Sequence, residues 1–414
     1  MNRTARRCTG SSVEGMESGT RFQLKSLFAA TSLVFSLGVT TDATAGETIK
    51  IGQDASLTIG VGARISYTST EDGAPSGTSN SNEFEVENAR IFLNGTWGKY
   101  IKGTLNTEKQ GGAVNNGGDS IRVMDAIAQF ELNDVFNFWL GRMLPPSDRA
   151  NLYGPFYVTA WAYPGVVSNY PNIAVGRDDG AMIWGKPFGG KLVYSVGAFN
   201  GHNRVSGLSN ESDNLLFAGR LHFNFLDVEP PPAHYLGGTY FGAKDIFSIG
   251  LAGNVQSDGV GTAAKPGDLK IWSIDGLFEK KLGGGWVPTL EGAYYKYNLD
   301  GAVDCNSGEP GSTACPSGDN TGGQVDGKAY MVSAALLFPT KVGWGQFQPF
   351  VRYQKFDRDV SDTRKKATEF GVNYIINGSN AKLSAVYTKF DDDRVAASSK
   401  QEWNQFVLGV QLQF

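Results

Sequence analysis

The sequence predicts an all-β chain that closes into a 16-stranded antiparallel up-and-down transmembrane β-barrel with an in-folded third extracellular loop. Three observations carry this expectation. Segments of about 8–14 residues alternate apolar and polar positions, which is the period of a two-faced strand. The joins between them alternate short and long, as they do when tight inner turns face longer outer loops. Glycine contributes 54 of 414 residues, aromatics 12% and charged residues only 19%, with no long Leu/Ala/Glu/Lys-rich stretch, a composition of strands and turns. No apolar run reaches the roughly 18 residues of a spanning helix. That excludes a helical membrane protein and leaves a barrel, whose alternating strands average close to neutral hydropathy.

Residues 1–45 read as an export signal that is cleaved, leaving 46–414 as the barrel domain. Arg21 and Lys25 precede the apolar stretch 26–39 (SLFAATSLVFSLGV), and Ala43-Thr44-Ala45 supplies a small-x-small pattern before Gly46. The start MNRTARRCTGSSVEG is unlike an ordinary basic leader, so Met16 is an alternative initiator to Met1, and Cys8 follows no lipobox. The leader holds five basic and three acidic residues, so the chain's 37 Lys and Arg and 41 Asp and Glu leave a mature net charge of about −6, which argues against a nucleic-acid partner. The remaining cysteines, Cys305 and Cys315, enclose nine residues of Gly, Ser, Pro and acidic character. In an exported chain they read as a disulfide closing one surface loop. Two thiols without a nearby His do not make a zinc shell.

Sixteen strands are expected at 55–67, 84–97, 99–108, 120–131, 136–143, 177–186, 190–200, 213–225, 244–256, 268–281, 286–299, 325–338, 345–357, 365–376, 380–391 and 402–414. One join breaks the length rule. Residues 226–243 (LDVEPPPAHYLGGTYFGA) are long on the inner side, so they form either a structured inner turn or a fault in the strand count. Trp97, Tyr100, Trp139, Trp184, Trp286, Trp344 and Trp403 fall near strand ends, where amphipathic rings suit the headgroup zone. The last strand, EWNQFVLGVQLQF, puts Phe406, Leu408, Val410, Leu412 and Phe414 on one face and Gln405, Gln411 and Gln413 on the other. A soluble sandwich could end on such a strand. A terminal aromatic residue after alternating apolar positions is also what outer-membrane barrels present to their assembly machinery.

A wall of sixteen strands encloses water, whereas about eight would be filled by side chains. A charge facing lipid at mid-depth costs roughly 2–4 kcal/mol, so mid-strand charges should point inward. This assigns Asn88, Arg90, Asn94, Thr96, Asp125, Gln129, Arg352, Gln354, Glu369, Asn373, Lys382, Ser384 and Thr388 to the lumen and gives Arg122 the lipid parity, near the outer end of its strand. The long segment 143–176 (MLPPSDRANLYGPFYVTAWAYPGVVSNYPNIAVG) is rich in aromatics and Pro, so it should pack rather than wave in solvent. It either folds into the barrel and narrows the pore with Tyr153, Phe156, Tyr157 and Trp161, or packs on a neighbouring subunit. Arg142, Arg149 and Arg177 flank it beside Asp148, Asp178 and Asp179, either as a transverse field across a constriction or as Asp148–Arg149 and Arg177–Asp178 ion pairs.

GRMLPPSDRANL leading into that segment, RDDGAMIWG leaving it, FGVNYIINGSNAKLSAVY near the end and the terminal Phe414 together resemble the Gram-negative phosphate-selective porins O and P. The resemblance covers most of 46–414 and is most specific in the last third. It implies a homotrimer in the outer membrane, in contact with lipid and lipopolysaccharide, that passes small solutes or anions along Arg and Lys. The matching basic positions are Arg90, Arg142, Arg149, Arg177, Arg220 and Arg352. The 143–176 segment carries no dense lysine cluster of the kind strong phosphate selectivity needs.

An enzymatic barrel would need a His-based constellation, and His202, His222 and His234 fall in an outer loop, on a strand and in an inner join. No Cys-x-x-Cys-His motif is present to attach haem. The expectation is a passive channel without catalytic residues, cofactor or metal.

Overall fold

A computed structural model describes residues 46–110, 120–171, 176–229, 235–316, 322–394 and 400–414. Sixteen long strands make the wall. They are β1 (Ala55–Thr70), β2 (Ser81–Trp97), β3 (Ile101–Gln110), β4 (Ser120–Glu131), β5 (Asn137–Met143), β6 (Asp178–Gly185), β7 (Leu192–Phe199) and β8 (Leu216–Asn224). The second half comprises β9 (Ile246–Thr262), β10 (Lys265–Glu279), β11 (Val287–Asn298), β12 (Gly327–Leu337), β13 (Gly345–Arg358), β14 (Arg364–Asn377), β15 (Ala381–Asp392) and β16 (Glu402–Gln413). Each is antiparallel to the next, and β16 returns to pair with β1 from Gln405 opposite Thr70 to Gln413 opposite Gly62. That closure removes the free edges a sandwich keeps, so every wall strand is hydrogen-bonded on both sides.

The residues expected on each face of β16 fall there. Phe406 is 38% exposed on the outer face, and Gln411 is fully buried on the inner one. Phe414 continues the ladder, donating from its amide to Val61 O at 2.9 Å and accepting from Val61 N at 3.0 Å. The short strand Glu47–Ile51 then takes over the same edge, pairing with 55–59. Neither this strand nor the Lys341–Val342 ribbon was expected, because five-residue and two-residue ladders leave too little alternation to register.

Two bulges change faces that a strict period of two would assign. The pairing slips between Arg64 and Ile65, which leaves Glu87 as the extra residue of β2, and between Asn106 and Thr107, which leaves Met124 as the extra residue of β4. The second bulge corrects the lipid parity expected for Arg122. It lies opposite the inward Glu108, while Ile121 and Val123 point out. Trp139 and Trp184 are also corrected. They are 1% and 5% exposed, face inward and meet edge to face at 5.7 Å, with the Tyr235 ring 6.2 Å from Trp139. Trp97, Trp286 and Trp344 are exposed at strand ends as expected.

The described part of the irregular inner join, 226–229 and 235–243, is held in place, and the strand count stands. Glu279 holds it, accepting from Thr239 Oγ1 at 2.7 Å and Gly242 N at 2.8 Å. Cys305 and Cys315 are joined in the outer loop between β11 and β12. Residues 1–45, the expected signal, lie outside the described residues, as does His234.

Candidate functional site

The segment after β5 begins with a single helical turn, α1 (Arg149–Tyr153), capped by Asp148, whose carboxylate accepts from Ala150 N at 3.0 Å. Asp148 also accepts from Tyr295 Oη at 2.8 Å. The Arg149 guanidinium is fully buried and donates to Glu229 at 2.9 and 2.5 Å, to Gly237 O at 2.9 Å and to Ser248 Oγ at 2.8 Å. Arg220 on β8 holds Asp275 on β10 in a two-point bond at 2.6 and 2.8 Å and reaches back to Ser147 O at 3.0 Å. These bonds tie the segment to the inner join as well as to the wall, since Gly238 N donates to Tyr157 O at 3.0 Å and Thr159 Oγ1 donates to Gly238 O at 2.8 Å.

Further along, inward-facing side chains of β1 and β13–β16 hold one backbone carbonyl after another. Gln411 donates to Phe156 O at 2.8 Å, Lys382 to Val158 O at 2.9 Å, Asn373 to Thr159 O at 2.8 Å, Arg64 to Trp161 O at 2.5 Å and Arg352 to Ala162 O at 2.7 Å. A segment without its own sheet or long helix has unpaired carbonyls to satisfy, and the wall supplies the donors. Rings fill the space beside the latch. A Cβ on Gly62 would come within 2.9 Å of the Phe156 ring, and one on Gly409 within 2.6 Å of the Trp161 ring. Both glycines stand where the wall must admit a ring. Tyr153 is buried in the same core.

The inward arginines are matched by carboxylates. Arg90 pairs with Glu108 at 2.5 Å, Arg64 with Glu87 at 3.2 Å, Arg177 with Asp125 at 3.2 Å and Arg352 with Glu369 at 2.7 Å. The Arg64 and Arg90 guanidinium groups also sit over the Trp161 and Phe156 rings at 4.1 and 5.3 Å. Neither sequence-adjacent pair holds as expected. Arg149 turns to Glu229 and Arg177 to Asp125, while Asp178 accepts from Gly201 N at 2.6 Å and Asp179 N at 2.7 Å. Arg142 is a correction. It lies opposite Ala126 and Asp179 on the outward face and pairs with Asp179 at 2.7 Å, because β5 carries Trp139 and Met143 inward.

Water reaches the inner wall unevenly. Ser248, Ser273, Glu279, Gln348 and Asn373 on β9–β14 are at most 1% exposed. On β2 and β3 the inward side is open only at the ends, with Glu83 and Glu85 exposed at the outer end of β2 and Asn94, Thr96 and Lys102 exposed or half-buried at the inner end, while Arg64, Ser66, Arg90, Glu108 and Asp125 between them are buried. The sequence did not single out Arg64, Glu87, Glu108, Glu229 or Asp275, and it marked the 226–243 join as irregular without linking it to the 143–176 segment. Arg64 was within reach, since it stands at inward parity between Ala63 and Ile65 in β1.

The family model for the phosphate-selective porins O and P matches residues 325–414. Among solved structures, an anion-selective porin from Comamonas acidovorans superposes with a TM-score of 0.57 at 13% identity, covering 87% of this chain and all of that one. OmpF of Salmonella typhi, in complex with daunomycin, gives 0.60 at 15% identity over 89% of this chain and all of that one. The trimer form of OmpT from Vibrio cholerae gives 0.52 at 12% identity over 87% and 100%. No curated protein matches the chain. The closed wall of sixteen strands and the match over its last quarter give the chain the fold of an outer-membrane porin that resembles the phosphate-selective porin O and P family.

Proposed function

We propose that the protein is a non-enzymatic, water-filled channel of the outer membrane through which small hydrophilic solutes diffuse, narrowed by the 143–176 segment folded into the barrel. The single observation that carries this reading is a closed wall whose inward side chains are polar and charged and hold the backbone of the 143–176 segment from Phe156 to Ala162. A wide wall with a polar, partly filled interior is the build of a diffusion pore whose contacts are weak enough to release their cargo. The partners follow from the same reading. They are a second and third copy of the chain, outer-membrane lipid and lipopolysaccharide outside, and the assembly machinery at Phe414.

Anion or phosphate preference draws less support. Arg64, Arg90, Arg177 and Arg352 are each matched by a carboxylate, and Glu83 and Glu85 carry negative charge at the outer end of β2. We therefore read the channel as weakly selective by charge. Reconstitution in a planar bilayer under a salt gradient tests both statements. Stepwise conductance with a reversal potential near zero is expected. Absence of steps would overturn the channel, and a strongly anion-selective reversal with block by phosphate would overturn the weak selectivity.

A further inference from the structure

Trp403 stands at a strand end, but not on the face that meets the headgroups. It shares the inward parity of β16 with Gln405, Val407 and Gly409, and Phe390, directly opposite it on β15, is likewise inward between Thr388 and Asp392. The two rings stack at 5.1 Å and 16°. Phe390 packs against the buried core that includes Ala367, Val386 and Val407, so one side of the stack is backed by the wall. Both rings are only half-buried, which leaves the rest of the stack to the water of the outer mouth. Among the described residues none accepts from the Trp403 indole N–H. Stacking across two strands steadies them, but an outward pair would do that equally well. It does not account for an open ring face and an open donor inside the mouth, and neither ring helps to hold the carbonyls of the 143–176 segment.

Polar groups of several kinds border the stack. Gln405, next on the inward face of β16, donates to Thr70 Oγ1 at 3.1 Å. Thr68 follows on β1 opposite Glu83, and Glu85 lies one inward step further, opposite Ser66. Glu83 and Glu85 are exposed, and no cation stands opposite either of them. On the other flank Lys365 and Arg394 are 34% and 33% exposed, near Asp392 and Glu309. Carboxylates on one flank and cations on the other oppose the approach of any singly charged solute from one side, whereas an uncharged solute meets no such opposition. The corner therefore offers a flat apolar face with an N–H, an amide and hydroxyls at its edge. A saturated ring that lays its C–H face on aromatic carbon and turns its hydroxyls to those groups matches it, and that is the build of a sugar.

We infer that the Phe390–Trp403 stack, with Gln405 and Thr70 at its edge, is a subsite for neutral sugars at the outer mouth, where the solute is held before it passes the 143–176 segment. Contacts of this kind are weak enough to release the solute onward. The inference rests on the channel reading and names the class of solute that the channel favours.

Single-channel current in a planar bilayer tests it. Raffinose, an uncharged trisaccharide, should lower the current of the unaltered protein along a saturating curve. Polyethylene glycol of the same hydrodynamic radius, which has few hydroxyls, should lower it only in proportion to its concentration. Trp403→Ala and Phe390→Ala should each raise the half-saturating raffinose concentration several-fold, and Trp403→Phe, which keeps a ring, should hold it near the unaltered value. Because the two solutes are compared on the unaltered protein, the comparison decides even where a variant fails to fold. The same proportional loss for both solutes would overturn the subsite and leave the channel standing. Block by tetraethylammonium or phosphate at lower concentration than raffinose, relieved by Trp403→Ala, would also overturn it, since the stack would then serve a charged solute. Absence of conductance steps would overturn the channel and the subsite together.

Discussion

Arg90 on β2 and Glu108 on β3 form a buried inward pair beside Phe156 of the latched segment, so on the proposed reading theirs are charges that a passing ion would feel. The guanidinium is held by two bonds to one carboxylate oxygen, at 2.9 and 2.5 Å, and lies over the Phe156 ring. As a pair they cancel at a distance, while each alone would leave a full charge in a confined, low-dielectric passage. Arg90→Gln should therefore shift the reversal potential in a salt gradient toward cation selectivity, and Glu108→Gln should shift it toward anion selectivity. The double variant should return near the unaltered value. The single variants should also unfold more easily, by about 3 kcal/mol where the remaining charge stays buried. If the two single variants shift the potential in the same direction, the pair does not line the conducting path.

The elements of the wall were legible in the sequence, while those of the filling were not. Strand positions agree within a few residues because each strand announces itself by alternation within its own 7–17 residues. The misassigned faces have local causes. Arg122 was lost to a bulge, and Trp139 and Trp184 to an interior that no single strand reveals. Arg149–Glu229, Lys382–Val158 and Asn373–Thr159 join residues 80, 224 and 214 positions apart, and nothing near either partner marks the contact. The 300–316 stretch shows how such an element can respond to its surroundings. Asp304 is buried at its base and accepts from Gly323 N at 2.9 Å and Gln324 N at 3.1 Å. Burial pushes its carboxyl up to about 6 against those amides, so the protonated form is favoured in the folded loop. A raised folded value means that the contribution is fully present below the ordinary carboxylate range, near 3.8, and is lost as pH rises through about 6. Hydrogen exchange of 300–316, corrected for its intrinsic pH dependence, should show weaker protection at neutral than at mildly acidic pH, by an amount of order 2 kcal/mol. Asp304→Asn, which keeps an acceptor and cannot ionise, should remove the difference, and an unchanged profile in that variant would assign the effect elsewhere.

At the scale of the molecule, wall and filling are held by different bonds. Every wall strand is satisfied by its neighbours, from β1 through β16 and back to β1, so closure does not depend on anything inside it. The filling is attached by side chains reaching its carbonyls and by Arg149, and its two ends leave the wall side by side, since Met143 pairs with Asp178. Excising 147–171 and bridging the gap with a few Gly and Ser residues should therefore leave the ladder intact. Arg64, Arg352 and Arg220 would keep Glu87, Glu369 and Asp275, while Lys382 and Glu229 would exchange their loop partners for water. The shortened chain is expected to run as a folded, heat-modifiable barrel in detergent and to unfold at a lower temperature than the intact protein, having lost the packing of Phe156 and Trp161 on Gly62 and Gly409. Its single-channel conductance should rise several-fold, because the half of the lumen beside β9–β14 would open to water. A chain that no longer folds would show that the filling is part of the fold, and a folded chain with unchanged conductance would show that the constriction lies elsewhere.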